Sequence, residues 1–143
     1  MRTLTLEDRF LPHQYSRIEN EAGIQIPDSI KDFISVYADL SVKENKFINS
    51  DGKLFEISQF ITYRMMYDFI KEFKKENLGK KLPFATDHGG WVFCISFDED
   101  SKNKILLYQM ETEWKTKNDA FEFVANNFEE FINGLQEEAV API

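Results

Sequence analysis

Side chains with the chemistry for catalysis are scarce in this sequence: two histidines, His13 and His88, and one cysteine, Cys94, in 143 residues. One stretch gathers some of them. Asp87-His88-Gly89-Gly90 stands just before Cys94, an order in which a carboxylate would orient an imidazole as general base beside a thiol nucleophile. Local geometry opposes that reading. Adjacent side chains seldom converge, and Cys94 falls on the alternate positions of an extended run, opposite the face that carries Trp91. Gly89-Gly90 reads instead as a tight turn into that run, with Asp87 and His88 in solvent and Cys94 as a small buried hydrophobe. No second histidine stands at metal-ligand spacing from either His13 or His88. No HExxH, CxxC, GxSxG or phosphate-loop motif occurs. Asp98-Glu99-Asp100 has oxygen ligands for calcium but lacks the glycine and distal glutamate of a calcium loop, and reads as a solvated turn. The expectation is a protein with no catalytic residues, no metal and no cofactor.

Charge is the more informative property. Twenty-five acidic residues against 17 basic give a net charge of −8 and a pI near 4.8. Such a field repels phosphate backbones, so DNA, RNA and anionic membrane surfaces are excluded as partners, while basic proteins are attracted. The distribution is uneven. From Asn118 to Ile143 there is no lysine or arginine, whereas Lys71, Lys74, Lys75, Lys80 and Lys81 make the middle locally basic. Glu122, Glu129, Glu130 and Glu137 are the candidate partner-binding residues, with Asp98, Glu99 and Asp100 as a second patch. One cysteine forbids an intramolecular disulfide. The first ten residues hold no apolar core of signal-peptide length, and no stretch approaches the roughly 20 apolar residues of a bilayer span. A reducing, cytoplasmic location is expected.

The elements that must position these residues follow from periodicity. His13 to Ala22 has Tyr15, Ile18 and Ala22 at helical spacing and stops at Gly23, suited to the left-handed position after a helix. Pro27 and Asp28 open a second helix whose buried stripe is Ile30, Phe33, Ile34 and Tyr37. Lys46–Ile48 and Leu54–Ile57 flank Asn49-Ser-Asp-Gly52 as a hairpin. Phe60 to Glu76 reads as a helix, with Met65 and Met66 as core filler. Trp91 to Phe97 alternates as a strand, and Ile105 to Met110 returns antiparallel to it after a polar turn. The last element reads as a helix capped by Thr116 and Asp119. Its stripe would be Phe121, Val124, Ala125, Phe128, Phe131, Ile132 and Leu135, with the glutamates outside.

Three stretches together resemble the SUKH superfamily, which includes fungal cell-wall (glucan) synthesis regulators and bacterial immunity proteins. Ile18-Glu19 through Glu21-Ala22-Gly23-Ile24-Gln25-Ile26-Pro27-Asp28 is similar to the family's helix–LGxxLP–helix opening. Leu82-Pro83-Phe84-Ala85, Asp87 and Gly89-Gly90 resemble its PFAxDxGG lead-in to a central strand. Asn118-Asp119-Ala120-Phe121, with Phe128-Glu129-Glu130-Phe131-Ile132 and Leu135, is similar to its closing helix. Ala38-Asp39-Leu40 stands where the family has a glycine-rich turn.

The resemblance implies one domain over residues 1–143, with its core at about 14–136. The fold expected is α+β: an antiparallel, partly mixed sheet of about five or six strands, packed by an N-terminal helix pair, one inserted helix and a C-terminal helix. It also implies a non-enzymatic protein-binding domain of the immunity type that neutralises a toxin domain, and the net charge of −8 suits a basic one. A regulatory scaffold and a small-molecule sensor are the alternatives.

Overall fold

The computed structural model describes residues 12–110 and 117–137. Helix α1 (Pro12–Ala22) buries Tyr15 and Ile18 and ends at Gly23, whose φ of 70° is the left-handed conformation expected there. The segment to α2 (Asp28–Tyr37) is pinned by Glu19, which accepts from the Ile26 N–H at 2.8 Å and lies 3.6 Å from Lys31 Nζ. Tyr15 Oη donates to the Lys31 carbonyl at 2.8 Å, so the two helices form one unit. After α2, Asp39 adopts φ 63° and supplies the left-handed turn without a glycine, as a short polar side chain tolerates.

Strands β1 (Lys46–Ile48) and β2 (Leu54–Glu56) pair antiparallel as the expected hairpin. A five-stranded antiparallel meander follows, in the order β3 (Gln59–Phe60), β4 (Lys81–Thr86), β5 (Val92–Ser96), β6 (Ile105–Tyr108) and β7 (Phe121–Ala125). Helix α3 (Tyr63–Lys75) is inserted between β3 and β4. It starts later than its apolar period suggested, because Thr62 accepts from the Met65 N–H as N-cap and Phe60 is already in a strand. Met66 is fully buried in the core.

Neighbouring residues on a strand face opposite sides. On one side Tyr108 meets Phe73 of α3 at a ring separation of 4.9 Å, and its hydroxyl donates to Glu72 at 2.7 Å. On the other side Phe93 meets Phe131 of helix α4 (Phe128–Asn133) at 5.3 Å, and Phe131 also touches Phe47 of the β1–β2 hairpin at 5.0 Å. The central strands β4, β5 and β6 are therefore buried on both faces.

Two expectations are corrected. Leu82-Pro83-Phe84-Ala85 is not a lead-in to a strand but the body of β4; Phe84 is an extra residue between the pairs Pro83↔Cys94 and Ala85↔Phe93, a bulge of the kind that accommodates proline in a sheet. The long closing helix is also not formed. Phe121–Ala125 is β7, paired with β6 from Tyr108↔Phe121 to Ile105↔Ala125, and only Phe128–Asn133 is helical. Asp119 lies in a short 3-10 turn, while Thr116 falls outside the described residues. The cap that operates is Asn127, which accepts from the Glu130 N–H at 2.7 Å while Glu130 accepts from the Asn126 N–H at 2.6 Å. β6 offered an unpaired edge, and the Phe-Glu-Phe-Val-Ala run has the aromatic and branched character of a strand.

Candidate functional site

Asp87, His88 and Cys94 do not meet as a catalytic group. Asp87 Oδ1 accepts from the N–H groups of Gly89 (2.9 Å) and Trp91 (2.8 Å), closing the β4–β5 turn. His88 is exposed and its Nε2 lies 3.3 Å from Glu56 of β2, away from Asp87's bonds. Cys94 is fully buried in β5, and burial pushes its thiol pKa up, the positive charge of Lys81 opposing this only in part. Among the described residues no cluster of His, Cys, Asp or Glu is arranged to hold a metal. None of their helices is long and apolar enough to cross a membrane.

The acidic candidates separate into two groups. Asp98, Glu99 and Asp100 occupy the β5–β6 turn, with Glu99 opening a 3-10 turn. Since Ile95 pairs Ile105 and Ile105 pairs Ala125, this turn and the β7–α4 turn lie at one end of the sheet, which brings Glu129 and Glu130 to the same end. Glu122 lies further along β7, on the hairpin side, and pairs with Lys53. Glu137 is exposed and follows Gln136, which bridges to Lys46 of β1.

Their carboxylates are not equally available. Asp98 accepts from Lys81 Nζ at 2.6 Å and from the Lys80 N–H at 2.9 Å. Glu122 is held by Lys53 and by Gln109 Nε2, and Glu130 by the Asn126 backbone and side chain. Glu99, Asp100 and Glu129 are exposed, and among the described residues no cation lies within ion-pair distance of them.

Glu99 and Asp100 stand at a cleft of about 580 Å³ on the α3 side of the sheet. Its floor is Leu106, Phe121 and Phe123, and its walls are the α3–β4 loop and the β5–β6 turn. The wall between them is built by Lys81. This lysine is buried, donates to the Leu78 carbonyl at 2.7 Å as well as to Asp98, and stands 4.4 Å from the centre of the Phe121 ring. Gly79 allows the approach: at φ 86°, a methyl group there would stand 2.9 Å from Asp98 Cγ. An adjacent cleft of about 410 Å³ lies towards α1 and carries Lys74 and Lys80, with Lys81 shared between the two clefts.

A family model matches residues 12–134, almost all of the described chain: the SMI1 / KNR4 family (SUKH-1). The chain belongs to the SMI1/KNR4 family (SUKH-1). No curated protein sequence matches it closely enough to name a relative. The SUKH-1 match runs from the first residue of α1 through α4, so the cleft and both acidic turns lie within the family domain. Membership places the protein among immunity and SMI1/KNR4-like proteins, a group that is generally non-enzymatic and includes toxin-binding members. Sequence reasoning missed Lys81, Lys104 and Phe123 as cleft residues. The alternation Phe121-Glu122-Phe123 was the available signal, and it was hidden by the helical period of the same stretch.

Proposed function

We propose that this SUKH-1 protein is a cytoplasmic, single-domain, non-enzymatic binding protein of the immunity type, which captures and neutralises a toxin domain with a basic surface. The observation that carries this reading is the placement of Glu99, Asp100 and Glu129. Three carboxylates with no cation partner among the described residues stand at one end of the sheet, two of them at the cleft floored by Leu106, Phe121 and Phe123. Charge on the rim steers a basic partner and raises the association rate, and aromatic floor residues supply contact area with little entropy to lose. Acidic groups here would occupy the place that nucleic-acid phosphates take on a basic nuclease.

The test is co-expression with a toxin encoded beside this protein's gene. Co-purification and survival of the expressing cells are expected, with an association rate that falls as salt is raised. The triple variant Glu99→Gln, Asp100→Asn, Glu129→Gln should associate more slowly and lose much of that salt dependence. Absence of both co-purification and protection would overturn the reading.

A further inference from the structure

Phe123 differs from the other phenylalanines of the sheet. Phe121 is enclosed by Phe73 at 5.9 Å, Tyr108 at 5.4 Å and the Lys81 ammonium at 4.4 Å. Phe123 is half-buried like Phe121, but among the described residues it makes no ring–ring contact. What faces it is a cation: Lys104 Nζ lies 5.8 Å from its ring centre. Lys104 is exposed and pairs with no carboxylate of the described residues, although Glu99 and Asp100 line the same cleft. The cleft thus combines an aromatic face, two carboxylates that have no cation partner among the described residues, and a resident cation.

We infer that the Phe123 face of this cleft is a guanidinium seat, filled in the free protein by Lys104 and yielded to an arginine of the partner. The inference rests on the protein-binding reading above and names the chemistry of its central contact. A guanidinium is planar and weakly hydrated, so it stacks on a ring while its edge forks onto carboxylates. An ammonium does one or the other as a point charge, which is why Lys104 can leave the ring for water at little cost. Displacing Lys104 also brings its positive charge away from the incoming one. The seat therefore selects arginine over lysine and rejects an uncharged isostere.

The experiment is an NMR titration of the full chain, ¹⁵N-labelled, with three capped tripeptides: acetyl-Gly-Arg-Gly-amide and its lysine and citrulline counterparts. The arginine peptide is expected to shift the amides of Asp100, Lys104 and Phe123, the lysine peptide to bind at least about threefold more weakly, and the citrulline peptide to leave them in place. Lys104→Ala should tighten arginine binding about two- to fivefold, a gain that a merely structural role would not produce. Phe123→Leu, which keeps the apolar burial, should remove the preference for arginine over lysine. Equal shifts with citrulline, or no tightening in Lys104→Ala, overturn the seat.

Failure here is separable from failure of the immunity reading. Toxin capture at unchanged affinity by a Phe123→Leu variant removes the seat and leaves the immunity reading standing. Arginine binding with the Lys104→Ala gain, but no toxin captured, does the reverse.

Discussion

Removing the carboxylate of Asp98 should destabilise this protein more than removing any other acidic side chain of its turn. Lys81's side chain is 8% exposed and Asp98's 26%, at 2.6 Å. In Asp98→Ala the ammonium would keep only the Leu78 carbonyl and the Phe121 ring. Breaking a fully buried pair in this way costs about 3–5 kcal/mol. Asp98 is a quarter exposed, so water enters the vacated space and the expected loss is about 2–3 kcal/mol. That is a large part of the roughly 5–15 kcal/mol that holds a domain together, and for this length it lowers Tm by about 7–10 °C.

Urea unfolding followed by circular dichroism measures the loss, with an unchanged slope showing that the unfolded state is the same. Asp98→Asn keeps an acceptor for the Lys80 N–H and should lose about half as much. The decisive variant is Lys81→Met with Asp98→Ala, which replaces a charge by an apolar chain of similar length. It should be at least about 1 kcal/mol more stable than the sum of the single losses. A single Asp98→Ala variant within about 0.5 kcal/mol of the parent, or strictly additive singles, would refute the argument that Lys81 is a buried charge dependent on Asp98.

Two further outcomes follow from the same region. Gly79→Ala should lose about 1–2 kcal/mol for the left-handed backbone and more for the collision with Asp98; in an Asp98→Ala background the second part disappears, which paired urea titrations would show. Burial raises the Cys94 thiol pKa, so the native state keeps a proton that the unfolded chain releases above about pH 8.5. Stability from this group is intact below that pH and falls above it by up to about 1.4 kcal/mol per pH unit, and Cys94→Ala should flatten the slope of unfolding free energy between pH 8.5 and 10.

The readable part of this fold was the part in which local and tertiary forces agree. Gly23 after α1, the Asp-Gly turn of β1–β2 and the alternation from Trp91 to Phe97 each specify a backbone conformation that the neighbours also require. The misread part was Phe121 to Leu135, where apolar residues fit a helix and a strand at once. Pairing with β6 decided it, through contacts remote in sequence. Asn127 and Glu130 formed a legible capping pair, and giving it weight would have moved the helix start to its observed place. β4 was obscured differently. Pro83 argues against a central strand until the Phe84 bulge is known, and bulges follow from register, which a single sequence does not display.

The same distinction applies to the acidic surface. A count of carboxylates treats Asp98, Glu122 and Glu130 as equivalent to Glu99, Asp100 and Glu129, but the first three already serve as acceptors within the fold. Neutralising them would alter shape as well as charge, so a loss of partner binding in those variants would not identify a contact. Neutralising Glu99, Asp100 or Glu129 changes the field alone, because no described bond within the fold depends on their side-chain oxygens except the one Asp100 accepts from its neighbour Ser101 at 3.2 Å. A net charge of −8 attracts basic proteins in general. Under the proposed reading the direction of approach is set by Glu99, Asp100 and Glu129, which lie at the end of the sheet where the cleft opens.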